Sequence, residues 1–263
     1  MMSKRLSSKI VISIAVVALI AIVSAFYARA NIKNEMQNSA KHSVEMIERN
    51  IVHISNVVKA NPYDVECSTA LQAELANLTY EHEEVRALGY VEDYLSSWHG
   101  CSLFGQTRNT ADYWQGDEVS GIYLGWSLLT NYFPETSFVI AVSSDDVSRF
   151  GYVNPRRLVG SWIEPTLDFA DYTLTLENQP SRVYNRDSTR LDAYWTSSTV
   201  HERYRSDAYQ FEIVVTASYE SVLVRAAIYF LSGLVTLGLV ILTIWVLSTS
   251  FFLIKTKDMR VEL

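Results

Sequence analysis

Two cysteines are the most reactive side chains in the 263 residues: Cys67 in "ECSTALQAEL" and Cys101 in "WHGCSLFG", followed by Ser68 and Ser102 respectively. A thiol can act as nucleophile, metal ligand or half of a disulfide, and the compartment it occupies decides which. Other chemistry is sparse. In "HERYR", Arg205 stands where a zinc-protease helix beginning at His201 needs its second histidine. The five histidines show no metal-ligand spacing along the chain, so no metal site is expected. Gly-rich phosphate loops and a Gly-x-Ser-x-Gly elbow are missing, and no cofactor is implied. Trp98, Trp114, Trp126, Trp162 and Trp195 could line a ligand pocket, but core packing is their expected use.

The compartment follows from two apolar runs. Between Lys9 and Arg29 there is no charged residue, and "IVISIAVVALIAIVSAFYA" is long enough, at about 1.5 Å of rise per residue, to cross a ~30 Å hydrocarbon layer. A second uncharged run lies between Arg225 and Lys255. Lys4, Arg5 and Lys9 precede the first run, and Lys255, Lys257 and Arg260 follow the second, so both termini are expected in the cytoplasm. The expected organisation is a cytoplasmic N-terminus over 1–9, a span over 10–28, an exported domain over 29–225, a second span over 226–254 and a cytoplasmic exit over 255–263. "ARA" at 28–30 fits a signal-peptidase site, but the length of the apolar run favours an uncleaved anchor in the lipid bilayer. The exported segment carries 16 Lys and Arg against 27 Asp and Glu, a net charge of −11, which argues against nucleic acid as a partner.

Within that segment, Ala40, Val44, Ile47, Ile51, Ile54 and Val58 recur at spacings of four and three, predicting a helix over 32–60 that continues the first span outward. Its stripe could be a homodimer seam or could pack on its own domain. Asn61-Pro62 ends it, and a second helix starts near Cys67, with Thr69 and Gln72 reading as a capping box. "VRALGYVEDY" and "GCSLFG" read as a hairpin across "SSWHG". Further strands are expected at 121–126, 137–142, 172–176, 182–184 and 209–217, with turns at "SSDD", "VNPRR" and "ENQPS". The fold class is therefore α+β: two transmembrane helices flanking a domain with a long membrane-proximal helix and a mostly antiparallel sheet, in the PAS or Cache style by analogy.

Both cysteines fall in the exported segment, where disulfides persist. A Cys67–Cys101 bridge would close a loop of about 35 residues and restrict the unfolded chain by roughly 3.5–4 kcal/mol in the chain-entropy model. Such a bridge could be a plain staple. It could also be regulatory, because His99 and the helix start beside Cys67 could each lower a thiol pKa.

"ECSTALQAEL", "VRALGYV" and "GCSLFG" together resemble the CSS-motif periplasmic sensor domain of bacterial EAL-type cyclic di-GMP phosphodiesterases. The namesake Cys-Ser-Ser reads Cys67-Ser68-Thr69 here, a departure that keeps the hydroxyl. The resemblance implies a multi-pass protein of the bacterial inner membrane with its sensor domain in the periplasm. It implies a disulfide made by the periplasmic thiol-oxidation machinery, whose loss activates or exposes the enzyme. The chain ends at "KTKDMRVEL" with no Glu-Ala-Leu signature, so no catalytic site is expected. The implied partner is a cytoplasmic EAL domain, in the same polypeptide or a separate one. The alternative is a Cache-like small-molecule receptor whose disulfide is purely structural.

Overall fold

The computed structural model describes residues 2–64, 66–92, 99–107, 121–130, 133–144, 147–177, 179, 181–184 and 199–258. The chain divides into two units, one gathering Met1–Asn34, Ala193–Ser198 and Ser218–Leu263, the other Glu35–Asp192 and Thr199–Ala217.

The first unit holds the part of one long helix up to Asn34 and the whole of another. Helix α1 runs unbroken over Met2–Lys59, so the expected outward continuation of the first apolar run is present. The last helix, α4, covers Tyr219–Asp258. Both are long and apolar enough to cross a membrane. Their apolar side chains face outward, with Ile14 64% and Leu239 60% exposed, an arrangement that water disfavours and hydrocarbon does not. They meet where Gly233 admits Ile20: a Cβ on that glycine would lie 2.9 Å from Ile20 Cγ2. The Tyr27 and Tyr229 rings pack edge-on at 5.0 Å, and the Asn31 amide donates to the Tyr229 hydroxyl at 3.3 Å.

The second unit is α+β. After α1 come α2 (Thr69–Glu81), β1 (Val85–Glu92), β2 (His99–Ser102), β3 (Gly105–Thr107), β4 (Ile122–Thr130), β5 (Phe133–Ser144) and β6 (Val147–Val153). A short helix α3 (Pro155–Arg157) runs into a π-helical turn (Leu158–Ile163), followed by β7 (Ala170–Leu176), β8 (Arg182–Tyr184), β9 (Thr199–Arg205) and β10 (Phe211–Ser218). The strands form two sheets rather than one: β3-β2-β1-β6-β5-β4, and β8-β7-β10-β9. Neighbours in the first sheet are antiparallel throughout, and β7 is antiparallel to both β8 and β10.

Burial follows from the pleat. In β7, Ala170, Tyr172, Leu174 and Leu176 point inward, and in β10 Phe211, Ile213, Val215 and Ala217 do the same. On one face of the first sheet Ala87, Val91, Val139, Ala141, Phe150 and Tyr152 form a cluster. The other face receives α1: a Cβ on Gly151 would sit 2.9 Å from Val58 and 3.7 Å from Ile54, so only a glycine lets the helix this close. All six residues of the α1 stripe are buried against the chain itself, so the face proposed as a dimer seam is spent on the protein's own core. Polar ties fix the helix along its length. Ser39 bonds the Tyr172 hydroxyl at 2.6 Å, Ser43 donates to the Ile163 carbonyl at 2.5 Å, and Ser206 donates to Glu48 at 2.6 Å. Burial, with the Glu48 carboxylate nearby, holds the Tyr209 hydroxyl above the ordinary tyrosine range.

Candidate functional site

The two cysteines are joined in a disulfide, with Cα atoms 5.3 Å apart and a sequence separation of 34. Cys101 lies on β2, opposite Tyr90 of β1, and is fully buried. Cys67 is half-buried and stands just before α2, so the bond fastens the start of that helix to the sheet. The Gln72 amide donates to the Cys67 carbonyl at 3.4 Å and lies 3.8 Å from its sulfur.

The hydroxyls of the motif have distinct tasks. Ser68, not Thr69, caps α2: its backbone is extended (φ −78°, ψ 159°) and its side chain accepts from the Leu71 N–H at 3.2 Å. Thr69 is already the first helical residue and faces solvent. The expected Thr69–Gln72 capping box is therefore not formed: the cap sits one residue earlier, leaving Leu71 at the third helical position, and Gln72 turns back to Cys67 instead. Ser102 shapes the tight turn into β3, accepting from the Phe104 N–H at 3.2 Å and donating to the Gly105 carbonyl at 3.3 Å. Gly105 has φ +102°, which a side chain would strain.

What lies around the disulfide connects it to α1. Gly89 pairs with Ser102, and a Cβ there would lie 2.6 Å from the Cys101 carbonyl oxygen. The Gly89 carbonyl accepts from the Asn61 amide at 2.8 Å, just past the end of α1. Arg149 of β6 donates to the Asn61 carbonyl at 3.1 Å and stands over the Tyr63 ring. Tyr63 packs edge-on against Tyr90, whose hydroxyl bonds the Asp64 carbonyl. One hydrogen bond and one strand residue thus separate the disulfide-bearing strand from the α1 terminus.

Sequence reasoning located both cysteines but placed no weight on Asn61 beyond its role before Pro62. An asparagine at a helix end carries a general capping signal, and only the fold shows that its amide reaches β1. Of the five tryptophans weighed as pocket candidates, Trp126 and Trp162 are buried and each packs edge-on against Phe138, at 5.4 and 6.3 Å between ring centres. Trp98, Trp114 and Trp195, and the side chain of His99, lie outside the described residues. His201 and Arg205 are on strand β9 and not on a helix. Thr175, Glu177, Arg205, Gln210, Phe211 and Glu212 line an open depression of about 220 Å³, below the ~300 Å³ lower bound typical of ligand pockets. No protein-family model matches the chain, and no curated protein matches it either.

Proposed function

We propose that the chain is the sensor part of a redox-responsive transmembrane regulator, controlling a cyclic di-GMP phosphodiesterase of the EAL class in the same or a separate polypeptide. In this reading α1 and α4 are the spans, both termini are cytoplasmic, and the domain between them is a periplasmic one of PAS or Cache style. A long helix leading into antiparallel sheets agrees with that style. The enzyme class rests on the likeness of "ECSTALQAEL" and "GCSLFG" to CSS-motif sensors. The observation that carries the reading is the Cys67–Cys101 bond, two hydrogen-bonded steps from the end of the helix that continues into the first apolar run.

The switch is thiol–disulfide exchange. A thiolate of a reducing dithiol attacks the Cys67 sulfur, which is the less buried of the two, and the electron pair of the S–S bond leaves with Cys101. The second thiol of the donor resolves the mixed disulfide. Two cysteine thiols remain here and the donor becomes a disulfide. Freed from β2, the start of α2 can move, and a bias of only about 1.4 kcal/mol between two positions changes their ratio tenfold. A receptor built on an aromatic pocket is less well supported, since Trp126 and Trp162 are used in packing.

In cells, Cys67→Ser and Cys101→Ser should each shift cyclic di-GMP in the same direction as deleting the oxidase that makes periplasmic disulfides. The double variant should no longer respond to that deletion. Unchanged cyclic di-GMP in both single variants, at normal protein levels, would make the bond a staple and end the proposal.

A further inference from the structure

His53, His82 and Glu84 converge although nothing in their sequence spacing announces it. His53 stands on α1, His82 is the C-cap residue of α2, and Glu84 follows in the turn into β1. One ligand atom from each lies within 4.8 Å of the other two, and the two imidazole rings meet edge-on at 5.9 Å. The turn that carries two of them is held by its backbone. The Val85 N–H donates to the His82 carbonyl at 2.9 Å, and the Asn154 N–H donates to the Glu84 carbonyl at 2.8 Å. The neighbouring Glu83 is occupied by Arg157, and its carbonyl accepts from the Asn154 amide at 3.3 Å. Among the described residues, by contrast, no hydrogen bond or ion pair occupies the Glu84 carboxylate or either imidazole.

We propose that His53, His82 and Glu84 form a binding site for a borderline divalent cation of the Zn²⁺ type, with water completing the coordination. The donor set decides the class: two imidazoles and one carboxylate suit zinc, whereas magnesium and calcium prefer an all-oxygen shell. At metal–ligand lengths of about 2.0–2.2 Å a tetrahedral set needs its ligand atoms about 3.4 Å apart. Rotation of the exposed His53 side chain and the half-buried His82 and Glu84 side chains can close that gap while the backbone stays fixed.

The position gives the ion a structural consequence. It ties α1 directly to the junction between α2 and β1, so α2 is held by the disulfide at its start and by the metal at its end. The cation is a second input to the same helix, and it does not depend on what the protein regulates.

The test uses the whole chain in detergent micelles, disulfide intact, purified without a polyhistidine tag and stripped of metal. Zn²⁺ titrated against a chromophoric chelator should bind once per chain. His53→Ala, His82→Ala and Glu84→Gln should each weaken it at least about tenfold, since even a ligand's supporting partner is worth that much. His42→Ala and His201→Ala should bind as the unaltered chain does. A second measurement needs no substitution: in the unaltered chain, Zn²⁺ should protect His53 and His82 from diethyl pyrocarbonate while His42 and His201 stay reactive. Absence of saturable binding, binding unaffected by the three substitutions, or protection of His42 or His201 in their place would overturn the proposal.

Discussion

Gly89 is the tightest position beside the disulfide. A methyl group there would meet the Cys101 carbonyl oxygen and the Phe150 ring, each at 2.6 Å. The carbonyl is part of the β1–β2 ladder and cannot swing away as a flexible side chain could. Gly89→Ala is therefore expected to destabilise the protein by about 1–3 kcal/mol, read as a lower thermal midpoint with the disulfide intact. Ser68 and Thr69 offer a finer comparison, since sequence alone cannot choose between two adjacent hydroxyls as the cap. The helix begins where the backbone leaves the extended region, and that is after Ser68. Ser68→Ala should cost roughly 1 kcal/mol in unfolding experiments, and Thr69→Ala less than about 0.5.

Beyond Asn34, helix α1 is the element on which the second unit is assembled. Ile47 is fully buried and Val52 is 51% exposed, five residues apart on the same helix. Ile47→Ala should cost about 2–5 kcal/mol, and Val52→Ala should lie within about 0.5 kcal/mol of the unaltered protein, both measured by chemical unfolding. The same burial predicts that Ile51→Cys will form no intermolecular disulfide under mild oxidation. Periodicity made α1 legible because a stripe of six aliphatic residues has one cheap solution, burial on one side. Strand β6 was missed because Arg149 and Gly151 interrupt its apolar pattern: the arginine bonds Asn61, and the glycine makes room for Val58. Strand β9 was missed because it is an edge strand with Thr199, His201, Arg203 and Arg205 exposed on one face and Glu202 between Val200 and Tyr204 on the other, which blunts the edge and breaks the apolar alternation. The expected turn at "VNPRR" instead starts α3, capped by the Asn154 side chain on the Arg156 N–H at 3.1 Å. His53, His82 and Glu84 were illegible for a different reason, since His53 lies on α1 whereas His82 and Glu84 lie beyond the end of α2, and they meet only through the fold.

At the scale of the whole molecule, one continuous helix passes from an apolar run to the neighbourhood of the disulfide. If both runs span, alkaline phosphatase fused after Asp207 should be active and the same reporter fused after Leu263 should be silent. Activity at the second junction would remove the two-span reading. The central claim is that the bond constrains α1 as well as α2. Hydrogen exchange of the full chain in detergent micelles, compared between oxidised and fully reduced protein, tests it most directly. Faster exchange on reduction is predicted at the start of α2, along the β1–β2 pair and over residues 54–61 at the end of α1. Faster exchange confined to the residues flanking Cys67 and Cys101, with 54–61 unchanged, would contradict it.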